Sequence, residues 1–199
     1  MQKSKPKLYS FRRCPYAIRA RLSLIKSKIL FENIEIDLKK KSEEFKKISK
    51  DATVPVLLIN KKNILQESTE IMIWAFEKSK NFNIVNIKKD QQMQLINFTE
   101  NYFKPNLDKF KYAKKTDIIE KKIAKENSEK FLFQIENFLC KNKYLLHCNP
   151  LLCDYAVVPF IRQFFFSDKS YFEKKSFEKT SAWLQDLIDS NLLKKVMKK

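Results

Sequence analysis

The sequence predicts two domains of different class: a mixed four-stranded sheet with helices packed on it over residues 1–78, then an all-helical domain over 88–199. Three observations predict it. Strand-type and helix-type patterns follow one another in the order β, α, β, α, β, β, α as far as residue 78. Beyond Ile87 no strand pattern survives, and apolar residues recur at spacings of three and four. Between the two regimes the segment 79–87, SKNFNIVNI, has no clear period and reads as a linker. A length of 199 residues allows one large core or two small ones, so the pattern decides.

Taken in order, Leu8 to Phe11 is a short strand-type run, and Pro15 stands where the first turn of a helix tolerates proline. The helix predicted over Pro15 to Lys28 places Ile18, Leu22 and Ile25 on one face, with Arg19, Lys26 and Lys28 expected to point outward. Leu30 to Leu38 reads as a half-buried strand with Ile34, Ile36 and Leu38 on one side. Ser42 to Ser49 reads as a short helix capped by Ser42, with Phe45 and Ile48 facing inward. Val54 to Ile59 and Ile64 to Leu65 form a hairpin across Asn60-Lys61-Lys62-Asn63, whose asparagines supply the turn. Glu67 to Lys78 is again helical, with Ile71, Trp74 and Ala75 on one side. In the second half the helical spacing is carried by Leu95, Phe98 and Tyr102, by Phe131, Ile135, Phe138 and Leu139, and by Leu184, Leu187 and Ile188.

Composition narrows the function classes. With 44% apolar and 32% charged residues the chain has a globular balance. It contains no glycine, which excludes a P-loop and a glycine-rich dinucleotide fingerprint, because both need backbone of positive φ that approaches a phosphate closely. Turns then fall to Asn and Asp. No stretch approaches the roughly 18 apolar residues of a membrane span, and Met1 to Lys7 has charge without an apolar core behind it, so no signal peptide, anchor or membrane partner is expected. The four cysteines, at 14, 140, 148 and 153, show no framework spacing, which fits a reduced, cytoplasmic setting. The net charge of +18 raises nucleic acid as a partner. The lysines, however, are spread in short groups along a chain rich in Lys, Asn, Ile and Phe, a pattern of coding bias and solvated faces. Nucleic acid is the less favoured partner, left open by charge alone.

The strongest local feature is Arg12-Arg13-Cys14-Pro15-Tyr16-Ala17, at the junction of the first strand and first helix. A cysteine there meets unpaired backbone N–H groups and the positive end of the helix dipole, which favour a thiolate nucleophile. Arg12 and Arg13 add to this if they turn inward. Taken alone, Cys14 reads equally as a small buried residue closing the strand. Ala17 occupies the second position of a Cys-x-x-Cys pair, so redox chemistry at Cys14 needs an external thiol. In Thr53-Val54-Pro55-Val56 a proline opens a strand expected to be central. Either a cis bond leaves the Val54 backbone facing a ligand that pairs with it as an added strand, or Pro55 is an ordinary trans proline. Glu67-Ser68 opens a helix whose N–H groups suit a carboxylate while Glu67 suits an ammonium group. The same pair also reads as routine capping, with Ser68 as cap and Glu67 and Glu70 complementing the dipole.

These pieces in this order resemble the glutathione S-transferase superfamily, in an omega-like, cysteine-containing bacterial branch, over nearly the whole chain. CPYAIRARLSL is similar to the first helix of cysteine-type members, TVPVL to their proline-bearing strand and QESTEIM to their acidic-serine helix start. The intervals from Cys14 to Lys41 in LKKK, to Val54, and to Glu67 and Ser68 also match. In the second half FKPNLDKFKY, DYAVVPFIRQF and WLQDLIDSNLLKKVMKK carry the resemblance. Asp154 matches the acid of the family's capping box, while Leu151 stands where its hydroxyl residue belongs, so a looser helix start is expected. The usual glycines are replaced around Asp51-Ala52-Thr53 and Lys62-Asn63.

The resemblance implies a thioredoxin-like first domain that binds glutathione as co-substrate without a metal. It implies that Lys41 and Ser68 hold carboxylates, Glu67 holds the amino group, Val54, positioned by Pro55, pairs with the cysteinyl backbone, and Cys14 faces the thiol. It also implies a homodimer in which the first domain meets the partner's helical domain. A cysteine at this place forms a mixed disulfide with glutathione, so transfer of a thiol is favoured over conjugation to an apolar electrophile. A non-catalytic relative docking on nucleic acid or a transcription complex is the contrasting class. Cys140, His147, Cys148 and Cys153 fit no paired-ligand spacing for zinc and read as incidental thiols. Tyr102, Phe103, Phe110 and Tyr112 read as core, although in the resembled family their helix borders the second-substrate pocket. Phe164 to Phe166 is expected to be interior.

Overall fold

The computed structural model describes residues 5–79, 82–114, 116–170 and 177–198. The chain divides into two compact units, residues 1–85 together with 190–199, and residues 86–189.

The first unit holds β1 (Lys7–Ser10), α1 (Pro15–Lys26), β2 (Glu32–Glu35), α2 (Glu43–Ile48), β3 (Val56–Asn60), β4 (Asn63–Leu65) and α3 (Ser68–Lys78). The sheet order is β2-β1-β3-β4, with β1 parallel to β2 and antiparallel to β3, and β3 antiparallel to β4. The proline-bearing strand is therefore central. Successive side chains of a strand point to opposite faces, and two separate cores follow. Leu8 and Leu57 pack with Ala20, Leu24, Ile71 and Ala75 of α1 and α3. Tyr9 and Val56 pack on the other face with Ile36 and with Phe45 of α2.

Ser42 caps α2, its hydroxyl accepting the Phe45 N–H at 3.2 Å, and Asn60 Oδ1 closes the hairpin by accepting the N–H groups of Lys62 and Asn63. Strand β2 is shorter than its alternation predicts, and Leu30, at 74% exposure, and Leu38 lie outside it in solvent. An edge strand extends only as far as its one neighbour, and β1 has four residues. Among the described residues asparagine and aspartate do not take the left-handed positions. Lys28 (φ 56°), Ala52 (φ 49°) and Lys88 (φ 51°) do, because chain geometry rather than residue preference places them. Lys28 follows the last turn of α1, where Ile29 N–H reaches the Leu24 carbonyl at 3.0 Å, a helix stop that elsewhere selects glycine.

The linker segment predicted at 79–87 contains a short helix, α4 (Phe82–Asn86), with Lys80 and Asn81 outside the described residues. The second unit holds α5 (Lys89–Phe98), a π-helical turn at Thr99–Phe103, α6 (Lys104–Tyr112), α7 (Ile118–Lys141), α8 (Leu152–Ser167) and α9 (Glu178–Asp189). Its core is aromatic: Phe103 stacks on Phe131 at 4.4 Å, and Phe110 meets Phe164 at 5.3 Å. Phe103 and Phe110 are buried, Tyr102 stacks on Phe98, and Tyr112 is exposed. Phe164 is interior as expected, whereas Phe166 is exposed because its position two residues on turns it to the other side of α8. The last helix, α10 (Asn191–Met197), falls by sequence order in the second domain; in the structure it packs on α1 and groups with the first unit.

Candidate active site

Cys14 is the N-cap of α1, with φ −73° and ψ 123°. Pro15 at the first helical position has no N–H to satisfy, the Ile18 N–H is taken by the Cys14 carbonyl at 2.8 Å, and among the described residues no side chain caps this helix start. The positive end of α1 therefore opens toward the Cys14 side chain. The residue is half-buried, and its Sγ donates to the Val54 carbonyl oxygen at 3.8 Å. The Val54–Pro55 peptide bond is cis. Cys14 and Val54, forty residues apart in sequence, are thus brought together.

Ser68 is only 2% exposed, and it is not a cap: Glu67 holds the N-cap position and Ser68 is the first helical residue of α3. Its Oγ accepts two bonds from the Arg19 guanidinium, at 3.0 Å from Nε and 2.6 Å from Nη2. This corrects the outward placement predicted for Arg19, which is 1% exposed. Helix α1 has no solvent face to offer it, since every residue from Ala17 to Leu24 is buried. The signal was available in the sequence: between Pro15 and Ile25 only Tyr16, Arg19, Arg21 and Ser23 are polar, too few for a solvated side. Tied to Arg19, Ser68 keeps its single O–H as a donor. Glu67 is exposed at the mouth of α3, Lys41 is half-buried in the loop before α2, and Pro55 is buried at the start of β3.

A second arginine was also missed. Arg21 is 5% exposed and lies along the turn that leads into Cys14. Burial lowers its pKa from the usual guanidinium value, the Glu35 carboxylate and the Cys14 sulfur oppose that, and Arg12 adds to it.

The cysteines outside this site do not assemble. Cys140 and Cys148 are exposed and Cys153 is buried, and the His147 ring meets the Cys148 sulfur at 3.6 Å and accepts the Asn149 N–H at 3.1 Å, both within two residues of it. Among the described residues no group of three or more His, Cys, Asp or Glu side chains is placed to hold a metal, and no helix is long and apolar enough to cross a membrane.

Residues 8–81 match the family described as glutathione S-transferase, N-terminal domain. Solved structures similar to the whole chain carry the same two-part architecture. One is glutathione S-transferase-I bound with lactoylglutathione, at 20% identity and a TM-score of 0.82, covering 98% of this chain and 99% of that one. Another is a glutathione transferase family member from Pseudomonas fluorescens with two glutathione bound, at 15% identity and a TM-score of 0.87, covering 99% and 94%. A third is a glutathione transferase from Pseudomonas putida with one glutathione disulfide per subunit, at 16% identity and a TM-score of 0.83, covering 98% and 91%. No curated protein sequence matches this chain. The fold is that of glutathione transferases: a thioredoxin-like first domain with a mixed four-stranded sheet, followed by a helical domain.

Proposed function

We propose that this chain is a glutathione-dependent thiol transferase of the omega-like, cysteine-containing kind, acting through Cys14. The observation that carries the reading is the Cys14 sulfur at an uncapped helix start, half-buried and 3.8 Å from the Val54 carbonyl. Glutathione enters as co-substrate, a reading supported by the similar structures that hold glutathione or its disulfide. Lys41 and the Ser68 hydroxyl hold its carboxylates, Glu67 holds its amino group, and Val54, set in place by Pro55, pairs with its cysteinyl backbone. Ionising Cys14 removes the S–H that occupies the Val54 carbonyl, so forming the nucleophile also frees that carbonyl for the tripeptide's N–H.

Two exchanges complete a turnover. The Cys14 thiolate attacks the glutathionyl sulfur of a mixed disulfide, R–S–SG; that S–S bond breaks, Cys14–S–SG forms, and RS⁻ leaves with the electron pair and takes a proton from water. A glutathione thiolate then attacks the glutathionyl sulfur on Cys14, giving glutathione disulfide and restoring the Cys14 thiolate. The second thiol comes from solution because Ala17 holds the place of a resolving cysteine.

Replacing Cys14 by Ser is expected to remove turnover on a glutathione mixed disulfide and to leave retention on immobilised glutathione intact; full turnover by the variant would overturn the assignment. Conjugation to apolar electrophiles is the nearest competing activity, and a panel containing both substrate types separates the two. Salt-sensitive DNA or RNA binding without retention on glutathione would favour the non-catalytic class instead. The protein is further proposed to be a homodimer, which a monomer mass in light scattering at micromolar concentration would refute.

A further inference from the structure

We infer that Arg21 is a positioning residue for Cys14, a buried fork that fixes the turn delivering the sulfur to the helix mouth. The inference rests on the reading of Cys14 given above and extends it to a residue seven positions away. Arg21 Nη1 donates to the Ser10 hydroxyl and to the Phe11 carbonyl at 3.5 Å, and Nη2 donates to the Arg12 carbonyl at 2.7 Å. Three consecutive residues are thus held by one side chain. The Phe11 carbonyl also accepts the Cys14 N–H at 3.1 Å, so Arg21 and Cys14 share one acceptor and any loosening of the fork reaches Cys14 directly. From the opposite side, Glu35 Oε1 on β2 accepts the Arg12 N–H at 2.8 Å. The turn Ser10–Cys14 is therefore gripped by α1 on one flank and by β2 on the other.

Physical chemistry argues that such a residue does more than fill space. A buried guanidinium is unfavourable unless its donors are used, and Arg21 Nε is buried among the described residues without a hydrogen-bond partner. The two nitrogens that are bonded serve only the turn before Cys14. A planar fork holds several carbonyls at fixed geometry, which a lysine ammonium does not. The charged groups at this turn are Arg21 from α1, Arg12 and the exposed Arg13 within it, and Glu35 from β2; Lys198, beyond α10, joins Arg12, Arg21 and Glu35 with Asn33 and Val196 in lining a cavity of about 290 Å³. Arg21 accordingly supplies a geometric clamp on the turn before Cys14, and its charge interacts with the Cys14 sulfur.

The test is the pH profile of Cys14 alkylation by iodoacetamide, followed at that residue by mass spectrometry in the full chain. The reaction needs no glutathione, so it is independent of whether the thiol transferase reading holds; retention on immobilised glutathione, measured in parallel, reports on that reading. Arg21→Met is expected to slow alkylation about tenfold near neutral pH and to move the profile to higher pH, because the sulfur is no longer held at the helix mouth. Arg21→Lys keeps the charge but not the fork, and is expected to give a smaller shift in the same direction; it serves as the second variant should Arg21→Met not fold. Leu139→Ala, in the second unit, is the control for lost stability alone. A fall in Tm with the alkylation profile unmoved in both Arg21 variants makes Arg21 structural only and overturns the inference.

Discussion

Two helix starts in this protein use the same orphan N–H groups in opposite ways. At the start of α1 the cap position is filled by Cys14, no side chain among the described residues satisfies the first turn, and the sulfur remains half-buried within reach of the Val54 carbonyl. At the start of α8 the polar groups are closed off. Asp154 Oδ2 accepts the Leu151 N–H at 2.9 Å, and Oδ1 accepts the Leu145 N–H and the Trp183 Nε1–H, each at 3.0 Å. Leu151, which lacks the hydroxyl of a complete capping box, is buried, and Asp154 is fully so. Gln92 Oε1, accepting the Cys153 N–H at 2.9 Å, supplies a first-turn acceptor where the hydroxyl is missing, and the donors from Leu145 and Trp183 tie Asp154 to the preceding loop and to α9. One mouth is left open beside the Cys14 sulfur, and the other is closed by buried polar side chains.

The contrast is broken most severely by Asp154→Ala. It strands three buried donors, so a loss of about 3–5 kcal/mol is expected in urea denaturation, against less than about 0.5 kcal/mol for Cys14→Ser. Equal losses at the two sites would erase the distinction drawn between them.

The pH dependence sharpens it. Burial pushes the Asp154 carboxyl up to about 6, although hydrogen bonds from Leu145, Leu151, Trp183 and Cys153 pull the other way. Between the unfolded value near 4 and about 6 the native state holds the extra proton. The contribution of this group is therefore complete below about pH 4, declines as pH rises through about 6, and is flat above that, for a total of about 3 kcal/mol. Unfolding free energies taken from pH 4 to 7 on the native protein and on Asp154→Asn should differ in slope over that window. Parallel curves would place the titration elsewhere.

The smallest expected effect concerns neither helix start but the loop that presents Val54. Ala52 holds a left-handed backbone, φ 49°, where a side chain is disfavoured by about 1 kcal/mol relative to glycine. Ala52→Gly should raise the unfolding free energy by that amount, and with it the denaturation midpoint, and leave Cys14 alkylation unchanged. A lower midpoint would mean that Ala52, packed against the core beneath α2, contributes more by contact than it loses by conformation.

Periodicity carried the fold further than it carried the site. The strand-helix order, the central place of the proline-bearing strand, the Ser42 cap and the Asn60 turn were all legible, because each depends on residues close in sequence. Motif spacing likewise put Cys14 and Val54 side by side, and the structure sets the sulfur 3.8 Å from the Val54 carbonyl. Arg19 and Arg21 were not, since a charged residue in a helix reads as a solvated one until the helix is known to be covered on every side. The end of β2 was equally hidden, being set by the length of the strand beside it.

What the sequence by itself determined is therefore local: which segments are strands and helices, that no glycine-built phosphate loop exists, and that Cys14 stands at a helix mouth without a resolving cysteine. Tertiary structure alone decided which polar groups lost their water. Packing α1 between the sheet, α3 and α10 buried two guanidiniums, and a buried guanidinium must find acceptors. Arg19 found the Ser68 hydroxyl and Arg21 the turn before Cys14, contacts that come into being only when distant elements close around the helix.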